Sequence, residues 1–528
     1  MTVRRLFYIL SIGAVLAVLI WAAYWPGAYW LFLVILPVIA LGIYDMIQRD
    51  HTVLRLYPVI GHLRFLLESI RPEIQQYFVE SDINGTPFNR EFRSLVYQRA
   101  KGVLDTRPFG TQFNVYRGGY EWINHSLAPE PVHDRNPRIR FGGADCRQPY
   151  DASPLNISAM SFGALSRNAI MALNKGAKAG GFAHNTGEGG LSHHHLKYGG
   201  DLIWQIGTGY FGCRTAEGGF DEALFREKAA KEPVKMIEIK LSQGAKPGHG
   251  GILPAAKLTE EIAAIRNVPM GADVVSPPAH SAFSTPVGLL DFVVHLRELS
   301  GGKPVGFKLC LGKKQEFFAI CKAMIKTGIT PDFITVDGGE GGTGAAPVEL
   351  TNSVGTPLRD ALVFVDQALK AVGVRNQIRI IASGKATSAF HVLRLLAIGA
   401  DTVNAARAMM FALGCIQSRQ CNMNNCPTGV ATQNPARYRA LDIGAKSVRV
   451  AAYHGALIEN LVELIAAAGL KNLDELRPAH INHRISGTDV RNYAELYPAI
   501  ANNCLLDAAT IPAEWKSLWA EASADRWV

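Results

Sequence analysis

What most constrains this chain is a rhythm that begins near residue 150. Short β-branched runs end in glycine or small polar residues, and helix-forming stretches follow them. The strand candidates are 155–159, 235–241, 272–276, 304–310, 332–337, 377–382 and 401–405, and the helix candidates are 166–179, 258–267, 314–327, 359–373 and 387–398. Strand–helix alternation over about 300 residues predicts a parallel α/β architecture. Both a doubly wound sheet and an eight-stranded (β/α)8 barrel satisfy it. A nucleotide-binding sheet sets GxGxxG directly after its first strand, and here MSFGAL follows 155–159 instead. Chemistry-bearing residues at the carboxyl ends of many successive strands favour the TIM barrel.

The first fifty residues follow another logic. Leu6–Tyr24 and Ala28–Tyr44 are uncharged apolar runs separated by Trp25-Pro26-Gly27. Nineteen residues at about 1.5 Å each reach roughly 28 Å, close to a bilayer core. Trp21, Tyr24, Trp25, Tyr29 and Trp30 cluster between the runs as an interfacial belt does. Arg4 and Arg5 precede the hairpin, and Arg49 and Arg55 follow it. The positive-inside rule then places both ends in the cytoplasm, which predicts an inner-membrane protein with its catalytic part facing the cytoplasm. The expected organisation is a transmembrane hairpin over 1–50 and an accessory cap over 51–150. An α/β domain over 151–480 and a C-terminal extension over 481–528 complete it. The cap region shows turn-rich stretches and no long periodic element.

The chain has 528 residues, 48% hydrophobic and 19% charged, which excludes a disordered or tail-like composition. Lys and Arg exceed Asp and Glu by 54 to 45. That excess suits a membrane surface or acidic small molecules, and it is too dispersed to predict a nucleic-acid partner. Eight cysteines in this length exclude a disulfide scaffold.

Four motifs carry chemistry. In DFITVDGGEGGTGAAP (332–347) a strand runs into a loop of five glycines, whose amides can approach a phosphate or a planar cofactor. Two later junctions repeat the theme, at Ser383-Gly384-Lys385 and Ala406-Arg407. The loops after the last strands of a barrel form a phosphate site, where Gly384, Lys385 and Arg407 would supply amides and charge. Second, Cys415, Cys421 and Cys426, with Pro427 after the last, resemble an iron–sulfur loop. Three thiolates suit a three-iron cluster, because a zinc site needs a fourth ligand and the loop has no histidine. Cys146, Cys213, Cys310, Cys321 and Cys504 read as core. Third, Lys240 and Lys308 sit on strand candidates, Lys246 in the turn that follows the first of them, and Arg266 at a helix end. A lysine within an apolar strand needs a carboxylate or an anionic ligand. Fourth, Glu188 lies among the glycines of NTGEGG (185–190), where it could hold an ammonium or imine. His193-His194-His195 reads as a polar loop, and the sequence assigns no role to His280.

Taken together, SAMSFGALS (158–166), NTGEGG, KLSQGAKPGHGG (240–251), SPPAH (276–280), GGEGGTGAAP (338–347) and CPTGVATQ in the cysteine loop resemble the FMN-binding part of the glutamate synthase family. The resemblance runs in order over about residues 150–470. It implies an FMN-bearing (β/α)8 barrel and a 3Fe–4S cluster. It also implies reductive amination of 2-oxoglutarate to glutamate by hydride from reduced FMN. By motif, Cys415, Cys421 and Cys426 match the cluster ligands, and Glu188, Lys240, Lys246 and Arg266 the substrate pocket. Ser161, Lys308, Gly342, Gly344, Gly384 and Arg407 match segments that hold FMN. Implied partners are 2-oxoglutarate, ammonia or an amine donor, and ferredoxin or a reductase subunit as electron donor.

The sequence departs from that pattern. Thr2 follows Met1 where full-length members carry a glutaminase cysteine, so free ammonia or a partner subunit is the expected nitrogen source. His249 and Ile252 stand where the family often has Glu and Gln, and the long C-terminal β-helical domain is not seen. Two alternatives stay open: an N-methylglutamate synthase-like amine-transferring enzyme, and a membrane-associated flavin and Fe–S electron carrier.

Overall fold

Eight parallel strands close on themselves: β1 (Leu155–Ile157), β2 (His184–Asn185), β3 (Leu202–Ile206), β4 (Val234–Lys240), β5 (Val305–Leu309), β6 (Phe333–Asp337), β7 (Arg379–Ser383) and β8 (Thr402–Ala405). The ring shuts where Val403 of β8 pairs with Leu155 of β1. This is the (β/α)8 barrel that the alternation favoured. The computed structural model describes residues 2–527 and divides into two compact units that part between Arg90 and Glu91.

Six of the seven strand candidates enter the barrel. The seventh, 272–276, does not: Val274–Val275 pairs antiparallel with Ile252–Leu253 in a separate two-stranded ribbon. The two barrel strands absent from the candidates are β2 and β3, which precede β4 in the chain. β2 is only two polar residues, so no period-2 pattern betrays it; it is a strand because Ile157 and Leu202 flank His184 on either side. β3 is buried throughout, as parallel barrel strands are.

Glu238 of β4 is fully buried. It accepts hydrogen bonds from Asn185 Nδ2 (2.9 Å), Gln205 Nε2 (2.5 Å) and Thr335 Oγ1 (2.7 Å). Side chains from β2 and β6, which are not neighbours of β4 in the ring, meet it only across the barrel interior. The donors satisfy a carboxylate that burial would otherwise penalise.

The surrounding helices follow ordinary stop and start chemistry. The helix after β1 (Arg167–Gly180) begins where the Ser166 hydroxyl accepts from Ala169 N, and ends at Gly181 in the left-handed region. The long helix Ile443–Ala467 is apolar enough to cross a membrane, but half of it is buried in the protein, and it packs on Arg167–Gly180.

Beyond the barrel, Glu121–Ile123 joins Ile481–Arg484 and Val490–Asn492 in a three-stranded sheet. The C-terminal Trp515 and Trp519 pack against Phe318, with ring centroids at 5.2 and 5.5 Å. Cys146, read as core from sequence, is only half-buried; the other four are buried.

The unit ending at Arg90 holds two long apolar helices, α1 (Val3–Tyr24) and α2 (Phe32–Ile47), joined by a tight 3-10 turn over Pro26–Leu31. α1, and α2 together with the 3-10 turn before it (Pro26–Ile47), are each long and apolar enough to span a membrane. The region after them is more helical than the sequence reading allowed. It contains α3 (His62–Ile74), and α4 (Arg90–Lys101) begins at the boundary between the two units. In α3 the helical spacing of Leu63, Leu66, Leu67, Ile70 and Ile74 is real but is interrupted by Pro72.

Candidate active site at the barrel mouth

The carboxyl ends of β4 to β7 carry Lys240, Lys308, Asp337 and Ser383. Strand register sets Lys308 beside Lys240, and Asp337 beside Ser383. Both lysines are buried. Lys240 Nζ meets Glu188 Oε1 at 2.9 Å. Lys308 Nζ is 3.9 Å from Asp337 Oδ2, beyond a normal hydrogen bond. Asp337 instead accepts from Gly244 N at 3.1 Å.

Glu188 sits in a slot made by missing side chains. A Cβ at Gly251 would lie 2.0 Å from Glu188 Oε1, and one at Gly207 2.7 Å from its Cβ. Burial favours the neutral acid here, but Lys240, Arg266 and Lys246 outweigh it and hold the carboxyl below its ordinary range. Burial also lowers Lys240, against the raising effect of Glu188. Lys246 is held down to about 8 and Arg266 to about 10, both mainly by burial.

The loops after β4 and β6 interlock. Lys246 Nζ donates to Ala345 O at 2.8 Å. Gly244 and Gly338 cross so closely that a Cβ on Gly244 would meet the Gly338 carbonyl at 1.7 Å. Arg266, at its helix end, donates to Phe162 O at 3.3 Å and lies over the Phe211 ring at 4.9 Å. Ser161 packs beside Gly187 and Gly189, on the glycine loop that carries Glu188.

The Arg407 guanidinium lies against Gly342, donates to Thr343 O at 2.7 Å and reaches Cys421 Sγ at 4.0 Å. It therefore joins the glycine loop after β6 to the cysteine loop. Gly384 stands against Leu358, as does Gly338. The same turn carries Lys385, and Gly344 follows Thr343 in the loop that Arg407 grips.

Cys415 and Cys426 are buried and Cys421 is half-buried. Burial pushes Cys415 up to about 11. Burial acts on Cys426 too, but the Thr428 hydroxyl and the backbone N–H groups of Ala431, Thr428 and Val430 reverse it, and the net shift is downward. A sulfur ringed by donors is prepared for the thiolate form. The loop is fixed by Tyr97 Oη donating to Cys415 O (2.6 Å) and by Gln433 Nε2 donating to Gly163 O and Leu165 O.

Four residues of this neighbourhood escaped the sequence reading. Asp337 closes the quoted strand motif, and its position at a strand end was the available signal. Lys257 donates to Ala164 O (2.7 Å) and Cys421 O (3.0 Å), and burial lowers it to about 8. Gln433 belongs to the CPTGVATQ string but nothing in that string marks its contacts. His280 bonds the Lys240 carbonyl through Nε2 (2.9 Å) and the Tyr210 hydroxyl through Nδ1 (3.1 Å). Burial lowers it to about 4, so the ring is neutral near pH 7. The three consecutive histidines form a helical turn rather than a loop, with His194 and His195 buried. His194 Nε2 meets Glu261 at 2.8 Å and His193 Nδ1 at 3.5 Å, and Arg167 pairs with the other oxygen of that carboxylate.

The family model for the conserved region in glutamate synthase matches residues 143–471. The chain is 39% identical over 493 residues to the glutamate synthase large subunit-like protein YerD of Bacillus subtilis, covering 86% of this chain and 93% of that one. It is 38% identical over 326 residues to the archaeal glutamate synthase (NADPH) of Methanocaldococcus jannaschii, and 34% identical over 327 residues to the archaeal-type enzyme of Thermotoga neapolitana. Those alignments span 61% of each archaeal-type protein's length. Matched over most of its barrel unit, and over nearly the full length of the Bacillus protein, the chain belongs to the glutamate synthase family of oxidoreductases.

Proposed function

We propose that this protein is an FMN- and iron–sulfur-dependent enzyme, anchored in the inner membrane by α1 and α2, that reductively aminates 2-oxoglutarate to glutamate. The observation that carries the reading is a charge imbalance at the barrel mouth. Lys240, Lys246, Arg266 and Lys308 gather around Glu188 and Asp337. Four cations with two carboxylates leave a surplus that a dicarboxylate satisfies.

The residues fit the two cofactors. Lys308 is a buried ammonium whose nearest carboxylate is beyond hydrogen-bond length, as suits a neighbour of an anionic ring edge. Ser161, Gly342, Gly344, Gly384, Lys385 and Arg407, on the loops after the barrel strands, would hold the rest of FMN. Cys415, Cys421 and Cys426 are the donors for a 3Fe–4S cluster, and the N–H groups at Cys426 favour a metal-bound thiolate. Bound there, FMN supplies hydride transfer and the cluster supplies single electrons.

The chain's own groups do the rest. Lys246 and Arg266 grip substrate carboxylates. Glu188, held anionic, draws ammonium beside the carbonyl carbon and takes the proton whose loss frees the attacking ammonia. Lys240 Nζ, paired with Glu188 and lowered by burial, is the atom that exchanges a proton with the substrate. Neutral His280 fixes the backbone beneath Lys240.

The test is anaerobic purification of the full chain, quantification of FMN and iron, and chemical reduction followed by 2-oxoglutarate and ammonium. Glutamate formed in proportion to flavin supports the reading. Flavin reoxidised only by a quinone or a protein acceptor, with no glutamate, overturns it.

A further inference from the structure

The segment 62–79 presents an apolar face to nothing. Leu63, Leu66, Leu67, Ile70 and Ile74 recur at helical spacing along α3, and Tyr77, Phe78 and Val79 continue the stripe through a wider turn over Gln75–Val79. All are exposed, Leu66 to 56% and Phe78 to 84%, and α3 buries no residue. Arg64, Arg71 and Glu73 flank the stripe, and Glu68 lies opposite it with Phe65, which is 40% exposed. A helix of this kind is stable in water only with a partner for its stripe.

The position of α3 identifies that partner. Asp45 lies in the last turn of α2 and is fully buried. Its Oδ1 meets His62 Nε2 at 2.8 Å, and its Oδ2 accepts from Val59 N at 2.8 Å. One carboxylate thus ties the end of α2 to the first residue of α3. If α2 crosses a bilayer, α3 begins at that bilayer's edge.

We propose that residues 62–79 lie flat in the headgroup layer, with the Leu66–Ile70–Ile74 stripe turned into the acyl chains. The proposal rests on reading α1 and α2 as membrane spans. Its occupant is lipid, and the binding is driven by apolar burial, because Arg64 and Arg71 are balanced by Glu68 and Glu73. Anionic headgroups are therefore not required.

Benzoylphenylalanine scanning of the full chain in nanodiscs tests this. The photoreactive residue replaces Leu66 or Ile70 on the stripe, Glu68 on the opposite face, and Leu33 in α2 as the span control. Irradiation should give lipid adducts, detected by mass, at Leu66, Ile70 and Leu33, with at least about tenfold fewer at Glu68. Yields should match in phosphatidylcholine with and without phosphatidylglycerol. Leu67 and Ile74 replace the first pair should those variants fail to accumulate. Lipid adducts at Leu33 combined with protein cross-links, or none, on the stripe overturn the proposal, whether the cross-link is to a second copy or to residues 91–528. Equal labelling at Glu68 overturns it as well. No lipid adduct even at Leu33 removes the membrane-span reading, and the proposal with it.

Discussion

Glu188 and Lys240 close on each other across the barrel mouth at 2.9 Å, and Gly251 is the reason they can. The glycine leaves the space that the Glu188 carboxylate occupies. Gly251→Ala forces that carboxylate away from Lys240. The barrel itself is untouched, so the thermal midpoint should stay close to that of the parent. Turnover should fall by about 100-fold, the scale of a misplacement near 1 Å. Parent-like kcat/KM in a correctly folded Gly251→Ala protein would show that the pair is not part of the chemistry.

Lys246 gives the pH dependence of substrate affinity. Burial holds it down to about 8, so it is charged below that pH and neutral above it. KM for 2-oxoglutarate should rise as pH passes through about 8, by roughly tenfold if a charge-assisted hydrogen bond is lost. Lys246→Arg keeps its charge and should move the edge upward. A KM that is flat from neutral to alkaline pH in the parent would refute this role.

Glu121 governs acid stability at some distance from the site. It is nearly buried beside Arg394, Arg359, Tyr493 and His483. Burial raises it, but Arg394 and Arg359 dominate in sum with the hydrogen bonds, and it falls from 4.5 to about 2. A lowered carboxylate stabilises the fold above its unfolded pKa, and that contribution is lost as pH falls from about 4.5 towards 2. The shift corresponds to about 3 kcal/mol. Glu121→Gln should therefore lower the unfolding midpoint near pH 7 and flatten its decline between about pH 4.5 and 2. These pH limits are roughly those set by the two pKa values. A decline as steep as the parent's would assign the acid sensitivity elsewhere.

Cys421 is the most accessible of the three loop cysteines. Cys421→Ser should abolish most of the bound iron and its EPR signal, while far-ultraviolet circular dichroism and FMN content remain near parental values. Cys213→Ser, at a buried thiol outside that loop's sequence, should keep its iron. Full iron content in Cys421→Ser would contradict the ligand assignment.

Much of the barrel was legible because burial writes itself into strands. β4 to β8 are runs of four to seven residues rich in β-branched side chains, buried almost throughout and ending at glycine or polar turns. β2 was not legible, because two residues carry no periodicity, and its strand character comes from its neighbours. Conversely, 272–276 has the composition of a strand, but its partner is Ile252–Leu253. Composition reports β preference and is silent on which edge a segment will find.

The site divides in the same way. Residue order by itself determined the Cys415–Cys421–Cys426 spacing, the glycine loops and the presence of lysines in apolar strands, since each is a local pattern with a local physical meaning. Only the tertiary structure decided that Glu188 faces Lys240, that Arg407 spans from Thr343 to Cys421, that His280 props Lys240, and that Asp45 fastens α3 to α2. These contacts join residues brought together by ring closure and helix docking. Their energies depend on distance and burial, which a linear string does not contain until the chain has folded.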